Sequence, residues 1–417
     1  MKVNNEITRF QFVDNYKDII EKSSIVRDFD KFIDMANGGL LELSKNGVLS
    51  MSSANIVNEN ILRTIPVRLK RPMIKSFPNV LSLFILFSFS GLRGDEIKGK
   101  KKYLGVNPKM LEQWKQFSDV DKYFSLFSLT FANFTFEPIN ERDGVFEFDT
   151  IIRIIAGAKG KCDINKSNEY LFNMYQYKTI LITLNMFGLI DIEDAPPLEN
   201  QGWSIKSIQP KSFMGGKWHN ISKLRSYCYF STIIDDEHDD DIGFVVGDID
   251  SMARIQRFAD KITEQIPEFS RRLKIDIENR PGIYFFKASL GKVWRIYKVD
   301  YRSSLDDLCY SILKSFNFDF DHLYDVKFMS SFGYRLTFNG APKISRAEYP
   351  TTADIQIGDL PIKINDTMDF TFDYGDNWQF SIVLEKIEVI KKETNEIPSI
   401  KTIRINGKAP KQYPDWD

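Results

Sequence analysis

The stretch FTFDYGDNWQF, Phe370 to Phe380, decides how the C-terminal third of the chain reads. Phe370, Phe372 and Tyr374 fall on one face of a strand. Trp378, Phe380, Ile382 and Leu384 fall on one face of a return strand, because strand side chains alternate with a period of two. Gly375, Asp376 and Asn377 lie between them and tolerate the positive φ of a short loop. Facing aromatics then seal one side of a hairpin onto a core. The other side carries Asp369, Thr371, Asp373, Gln379 and Glu385. Asp373 and Asp376 flank the turn. Such carboxylates either bond backbone N–H groups of the turn or hold a metal and move protons. Local bonding is the commoner use, and the residues alone leave both open.

Upstream of this hairpin the texture is the same. From about Pro281, GIYFFKAS and VWRIYKVD read as strands, followed by the helix SSLDDLCYSILKSF. Leu305, Leu308, Ile312 and Phe316 share a helix face, and Ser304 with Asp307 has the spacing of a capping box. YDVKFMS, YRLTF and WQFSIVLEKIEVI supply further strands. The expectation is an α+β domain on a mainly antiparallel sheet.

The N-terminal part is mostly helical. LLELSKNGVLSM reads as two short strands around Asn46-Gly47. FPNVLSLFILFSFSGL reads as a buried helix ending at Gly91, and RGDEIKGKKKYLGVNP as a polar hairpin. DVDKYFSLFSLTFANF is helical with Asp119 as its N-cap. The same grammar recurs where an apolar helix stops at Gly188, LIDIE follows, Pro196-Pro197 and Gly202 break the chain, and WSIKSIQP returns. Helix, Gly, strand, loop, strand is the pattern of the second half of a winged helix, and equally that of a helix and hairpin in some other helical domain. The acidic run IIDDEHDDDIG has the composition of a linker, and SMARIQRFADKITEQIPEFSRRLK follows as an amphipathic helix interrupted at Pro267. The expected division is 1–232 helical and winged-helix-like, 233–280 acidic linker and helix, and 281–417 α+β.

Composition limits the function classes. The 417 residues carry 56 basic and 57 acidic side chains, a formal net charge of -1. No global charge draws the chain to nucleic acid or membrane, so such binding needs a local patch. Cys162, Cys228 and Cys309 lie far apart, without metal or redox spacing. The longest apolar run, Val80 to Leu92, falls short of the ~20 residues a membrane span needs. With no apolar leader in MKVNNEITRFQFVDNYKD, a cytoplasmic protein with reduced thiols is expected.

There is no Walker A motif, Rossmann glycine fingerprint, H-E-x-x-H or G-x-S-x-G. His219 sits in GGKWHN, His238 in the acidic run and His322 in FDFDHLYD. The run DDEHDDD lacks the Gly and terminal Glu of a calcium loop. No cofactor and no metal site are expected. The nucleic-acid candidate is KGKKK: Lys98, Lys100, Lys101 and Lys102, with Arg93, would crowd one hairpin tip and grip phosphates. SRRLK, Ser270 to Lys274, reads as a basic helix end.

FTFDYGDNWQFSIVLEKI resembles the signature of the plasmid pRiA4b ORF-3-like family, with its Tyr/Phe-Asp-Phe/Tyr-Gly-Asp-x-Trp core. Three pieces agree in order: the strand with Trp294-Arg295 before a helix, the His322 to Val326 segment including Tyr324, and the tail with Gln412-Tyr413. Asp373, Gly375, Asp376 and Trp378 form the core of the match. Gln379 and Phe380 stand where the family often has His or Glu, and the Cys-containing tail of many members is missing. The resemblance spans Ile283 to the C-terminus and implies a plasmid- or mobile-element-associated bacterial protein of unassigned activity. No resolvase nucleophile constellation accompanies it. Two function classes follow. One is a binding module, for nucleic acid through Lys98 to Lys102 or for a protein partner through the C-terminal sheet. The other is a metal-assisted hydrolase or nuclease using Asp373, Asp376 and His322. The non-enzymatic class ranks first.

Overall fold

The computed structural model describes residues 16–139, 145–158, 160–165, 169–215, 217–234, 243–248, 251–273, 280–329, 335–340, 351–390 and 397–413. His238 and most of the acidic run lie outside them. The chain forms two compact units, Met1–Lys274 and Ile275–Asp417.

The first unit runs through α1 (Tyr16–Lys22), α2 (Ile25–Asn37), β1 (Glu42–Leu43), α3 (Met51–Asn60), α4 (Pro78–Phe89), β2 (Arg93–Lys98) and β3 (Lys101–Val106). Next come α5 (Pro108–Lys115), α6 (Asp119–Asn133), α7 (Val145–Gly157), β4 (Cys162–Asp163), α8 (Glu169–Asn173), α9 (Tyr175–Met186), β5 (Ile190–Asp194) and β6 (Ile205–Pro210). The unit closes with α10 (Lys217–Tyr229), β7 (Phe230–Ile234), β8 (Gly243–Asp248) and α11 (Ser251–Thr263).

One order occurs twice: helix, strand, helix, helix, strand, strand, from α2 to β3 and again from α7 to β6. The sheets match as well, β1-β3-β2 and β4-β6-β5. In each, a two-residue strand pairs with the second hairpin strand. Gly91 (φ +76°) and Gly188 (φ +74°) turn the chain from helix to hairpin in the two copies. Only glycine takes that left-handed backbone without steric cost, so the apolar helix stops there.

Helix α4 is apolar all round, and every residue of it is buried. Pro78 can begin it because the first turn has no use for its missing N–H. It packs against α9, and Ser82 Oγ lies 2.7 Å from Thr183 Oγ1. The Thr183 hydroxyl donates to the Thr179 carbonyl at 2.6 Å, so Ser82 is the donor between the helices. Aromatic rings fill the space around them. Phe127 and Phe131 of α6 meet Phe258 of α11, with Phe131 stacked on it.

Two local expectations change. The N-cap of α6 is Ser118, not Asp119: Ser118 Oγ accepts the Asp121 N–H and the Asp121 carboxylate accepts the Ser118 N–H. The reciprocal box outweighs a lone Asp. SRRLK does not end a helix, since α11 stops at Thr263. Arg272 instead folds back onto Asp260 and the Thr263 hydroxyl.

The second unit comprises β9 (Gly282–Leu290), β10 (Val293–Asp300), α12 (Leu305–Ser315), β11 (Tyr324–Met329), β12 (Arg335–Gly340), β13 (Thr367–Phe372), β14 (Trp378–Val389) and β15 (Ile400–Asn406). Seven antiparallel strands form one sheet, in the order β12-β11-β13-β14-β9-β10-β15. With the helical first unit, this makes the chain α+β. Ser304 and Asp307 form the capping box of α12, and Leu305, Leu308, Ile312 and Phe316 are wholly buried. Phe370 faces Phe380 and Phe372 faces Trp378 across the hairpin. The Phe370 and Phe380 rings stack at 5.4 Å. Tyr374 departs from the expected strand face. The strand ends at Phe372, the chain turns at Asp373 (φ +55°) and Asn377 (φ +53°), and Tyr374 is exposed. Gly375 does not take the left-handed positions. Among the described residues, no helix is long and apolar enough to cross a membrane.

Candidate functional site

The β2–β3 hairpin presents the lysines. Lys98 and Lys101 are opposite one another, with Gly99 (φ +64°) and Lys100 at the tip. Three of these cations have partners: Lys98 with Glu96 at 3.2 Å, Lys101 with Glu42 at 2.7 Å and Lys102 with Asp95 at 2.8 Å. Burial pushes the Asp95 carboxyl up, but hydrogen bonds and charge from Arg93 and Lys102 outweigh it and hold the group below its ordinary range. Arg93 is not at the tip. It sits at the base of β2, bound to Asp95, the Gly47 carbonyl and the Ser88 hydroxyl, over the Phe84 ring. It braces the hairpin and is spent there. The Lys98–Glu96 and Lys101–Glu42 pairs are largely solvent-exposed, and such pairs contribute only about 0–1 kcal/mol. They exchange readily for a stronger anion. Residues 93–106 hold five cations and two carboxylates, so the hairpin remains positive.

The family-motif residues of the second unit divide into two groups. One group converges. His322 Nε2 lies 3.5 Å from Asp373 Oδ2 and 3.2 Å from Tyr413 Oη. The Tyr413 hydroxyl donates to Asp321 Oδ2 at 2.8 Å and accepts from Gln412 Nε2 at 3.0 Å. Gln412 Oε1 accepts the Asp319 N–H at 2.6 Å. Desolvation, with the Asp321 hydrogen bond and the charges of Asp321, Asp373 and Asp319, pushes the Tyr413 phenol up to about 12. Asp373 Oδ1 accepts the N–H groups of Gly375 at 2.9 Å and Asp376 at 3.4 Å, which leaves Oδ2 for His322. Three segments far apart in sequence thus share one polar cluster that pins the tail to the sheet end. With Nε2 protonated, the imidazole is a donor toward both Asp373 and Tyr413.

The other group stays apart. Asp376 enters only through its backbone N–H, and its residue is exposed. Tyr324 is buried and bonds Asp306 and Thr352, anchoring β11 to α12. Arg295 is 4% exposed and ties β10 to the Asn406 and Ser315 carbonyls beneath the Phe316 ring. Trp378 packs edge-on against Phe318. His219 is exposed on α10. Asp321 is the cluster member that sequence reading missed. Its signal was the repeated Asp of FDFDHLYD, but only the fold brings Tyr413 to it. Among the described residues, no three His, Cys, Asp or Glu side chains are grouped to hold a metal ion.

A groove of about 420 Å³ runs beside the cluster, lined by Tyr310, Lys314, Asn317, Phe318, Asp319 and Phe320. In the first unit, a cavity of about 520 Å³ near Gly188 is lined by Lys22, Arg27, Arg63 and Lys211 among others. Two of those cations are taken, Arg63 by Asp194 and Lys211 by Asp191.

An α+β domain whose polar motifs meet at one end of an antiparallel sheet is the class that the second unit defines. The family model for plasmid pRiA4b ORF-3-like protein matches residues 286–411, so this unit carries a domain of that family. The family description is tied to a plasmid reading frame and brings no activity with it. The crystal structure of a protein of unknown function from Methanosarcina mazei Go1 is similar at 21% identity, over 31% of this chain and 72% of that chain, with a TM-score of 0.26. No curated protein matches the chain.

Proposed function

We propose that this plasmid-family protein binds nucleic acid, gripping duplex phosphates through the β2–β3 hairpin of a tandem winged-helix unit. The repeated element order and the shared sheet order support the winged-helix reading. The observation that carries the function is the exposed, net-positive lysine tip on the first of the two hairpins. Helix-turn-helix proteins place a recognition helix in the major groove. Here the corresponding helices, α4 and α9, are buried against one another. Base reading by those helices is therefore closed off. Phosphate contacts position a protein without specifying sequence, so the expected binding is sequence-tolerant and strongly salt-dependent.

The test is fluorescence anisotropy of a short labelled DNA duplex across a salt series. Each phosphate contact adds about 0.9 to the slope of log affinity on log salt. Changing Lys98, Lys100, Lys101 and Lys102 to Ala should lower that slope by roughly three to four. Absence of binding at low salt, or an unchanged slope in the variant, refutes the reading.

One observation favours a second reading, a metal-assisted hydrolase or nuclease: two of its three proposed residues, His322 and Asp373, lie 3.5 Å apart. Asp373→Asn separates the readings. Asn keeps the turn-capping oxygen and accepts the left-handed backbone, so the fold should be lost by less than about 1 kcal/mol. A hydrolase would lose turnover of DNA or RNA in the presence of a divalent cation. A binding protein keeps its affinity in the same variant.

A further inference from the structure

One face of the seven-stranded sheet is largely buried across β9 and β10, and the other is partly exposed across β9, β10, β14 and β15, with Ile296 on it buried. On the buried face Tyr284, Phe286 and Ala288 of β9 and Tyr297 and Val299 of β10 are buried, with α12 reaching Tyr297 through Ser315. The strand register composes the other face. One row across it reads Lys401, Lys298, Phe285, Lys386. The next row reads Arg404, Ile296, Lys287, Val383, and Trp294 stands in the row beyond. Lys298, Lys386, Lys401 and Arg404 are exposed, while Phe285, Lys287 and Trp294 are half-buried. Lys287 lies 5.0 Å over the Trp294 ring and Lys386 5.4 Å over the Phe285 ring. Two carboxylates beside this face are engaged, Glu388 with Lys386 at 2.7 Å and Asp300 with Arg302 at 2.9 Å.

We infer that this face binds single-stranded nucleic acid, with bases stacking on Phe285 and Trp294 and phosphates lying among Lys298, Lys401, Arg404 and Lys287. Sheet-borne aromatics between cations take unpaired bases because every base has a stackable face and every linkage carries a charge. A duplex keeps its base faces covered and has no use for the rings. The surface belongs to the second unit and does not depend on the hairpin reading.

The experiment uses the full chain and the anisotropy of labelled oligo-dT, beside an abasic oligonucleotide of equal length. Four variants are compared: Lys298→Glu with Arg404→Glu, Trp294→Leu, Trp294→Phe, and the quadruple hairpin variant with Lys98, Lys100, Lys101 and Lys102 changed to Ala. The two charge-reversed positions are exposed, so circular dichroism should be unchanged. Oligo-dT affinity should fall at least about tenfold in the charge-reversed chain, with a salt slope lower by more than about one. Trp294→Leu should weaken oligo-dT by about five-fold or more, and Trp294→Phe should restore most of it, since stacking is what the ring supplies. The abasic strand should bind the native chain several-fold more weakly than oligo-dT. Equal binding of the abasic strand, or indifference to Trp294→Leu, overturns the stacking site and leaves a general polyanion surface. Loss of oligo-dT binding only in the quadruple hairpin variant moves the contact to the first unit and also overturns it.

Discussion

The two copies in the first unit share a topology and oppose each other in charge. The hairpin of the first copy, residues 93–106, sets five cations against two carboxylates. That of the second, residues 190–210, sets Asp191, Glu193, Asp194 and Glu199 against Lys206 alone. The second hairpin uses its carboxylates internally. Glu193 gathers Lys161, Lys206 and the Ser207 hydroxyl, Asp191 takes Lys211, and Asp194 takes Arg63. Fold alone therefore cannot assign function to either copy; charge on one exposed loop separates a surface suited to phosphate from one that repels it. The copies agree where packing decides. Both turn from helix to hairpin at a left-handed glycine, and both commit the preceding helix to a shared core.

That shared core gives the largest effect. Phe84 of α4 is wholly buried and lies beneath the Arg93 guanidinium. Phe84→Ala should cost about 3–5 kcal/mol, as truncation of a core aromatic generally does. Chemical denaturation followed by circular dichroism checks it. A cost near zero would mean that α4 can leave the core, and with it the argument that base reading is closed off.

Much of the fold was legible because local rules and packing pointed the same way. The capping box at Ser304 and Asp307, the Leu305 face and the Phe370–Phe380 pairing each follow from spacing alone. The glycine stops at Gly91 and Gly188 were equally readable, and so was the hairpin at Lys98 to Lys102. What the sequence concealed is long-range. Nothing local shows that Arg93 turns inward to Ser88 and Gly47, or that an apolar helix packs on a second copy of itself. The polar cluster was half visible. Asp373 and His322 are nameable as candidates from sequence, whereas Asp376 stands beside them in sequence but reaches the cluster through its backbone N–H. Tyr413 and Asp321 meet only because the tail returns across some ninety residues to the sheet end. The cation and aromatic rows on the open sheet face are likewise a product of register between β9, β10, β14 and β15. They look like ordinary alternation when each strand is read by itself.

The charge contrast between the hairpins can be removed directly. Asp191→Lys with Glu193→Lys makes the second hairpin resemble the first. Stability should change by no more than about 1 kcal/mol, because the pairs lost are exposed. Lys161 and Lys206 hold the Glu193 carboxyl down at about 2, so its ion pairs are complete at neutral pH and are lost only as acid brings the pH down through that value. Glu193 is thus anionic where binding is measured, and the substitution reverses its charge. Duplex affinity at low salt should rise about tenfold, and the salt slope should steepen by about two if both new lysines reach phosphates. A rise in affinity without a steeper slope would point to relief of repulsion at a distance. No change at all would mean that the second hairpin faces away from the duplex, so that the two copies differ in placement as well as charge.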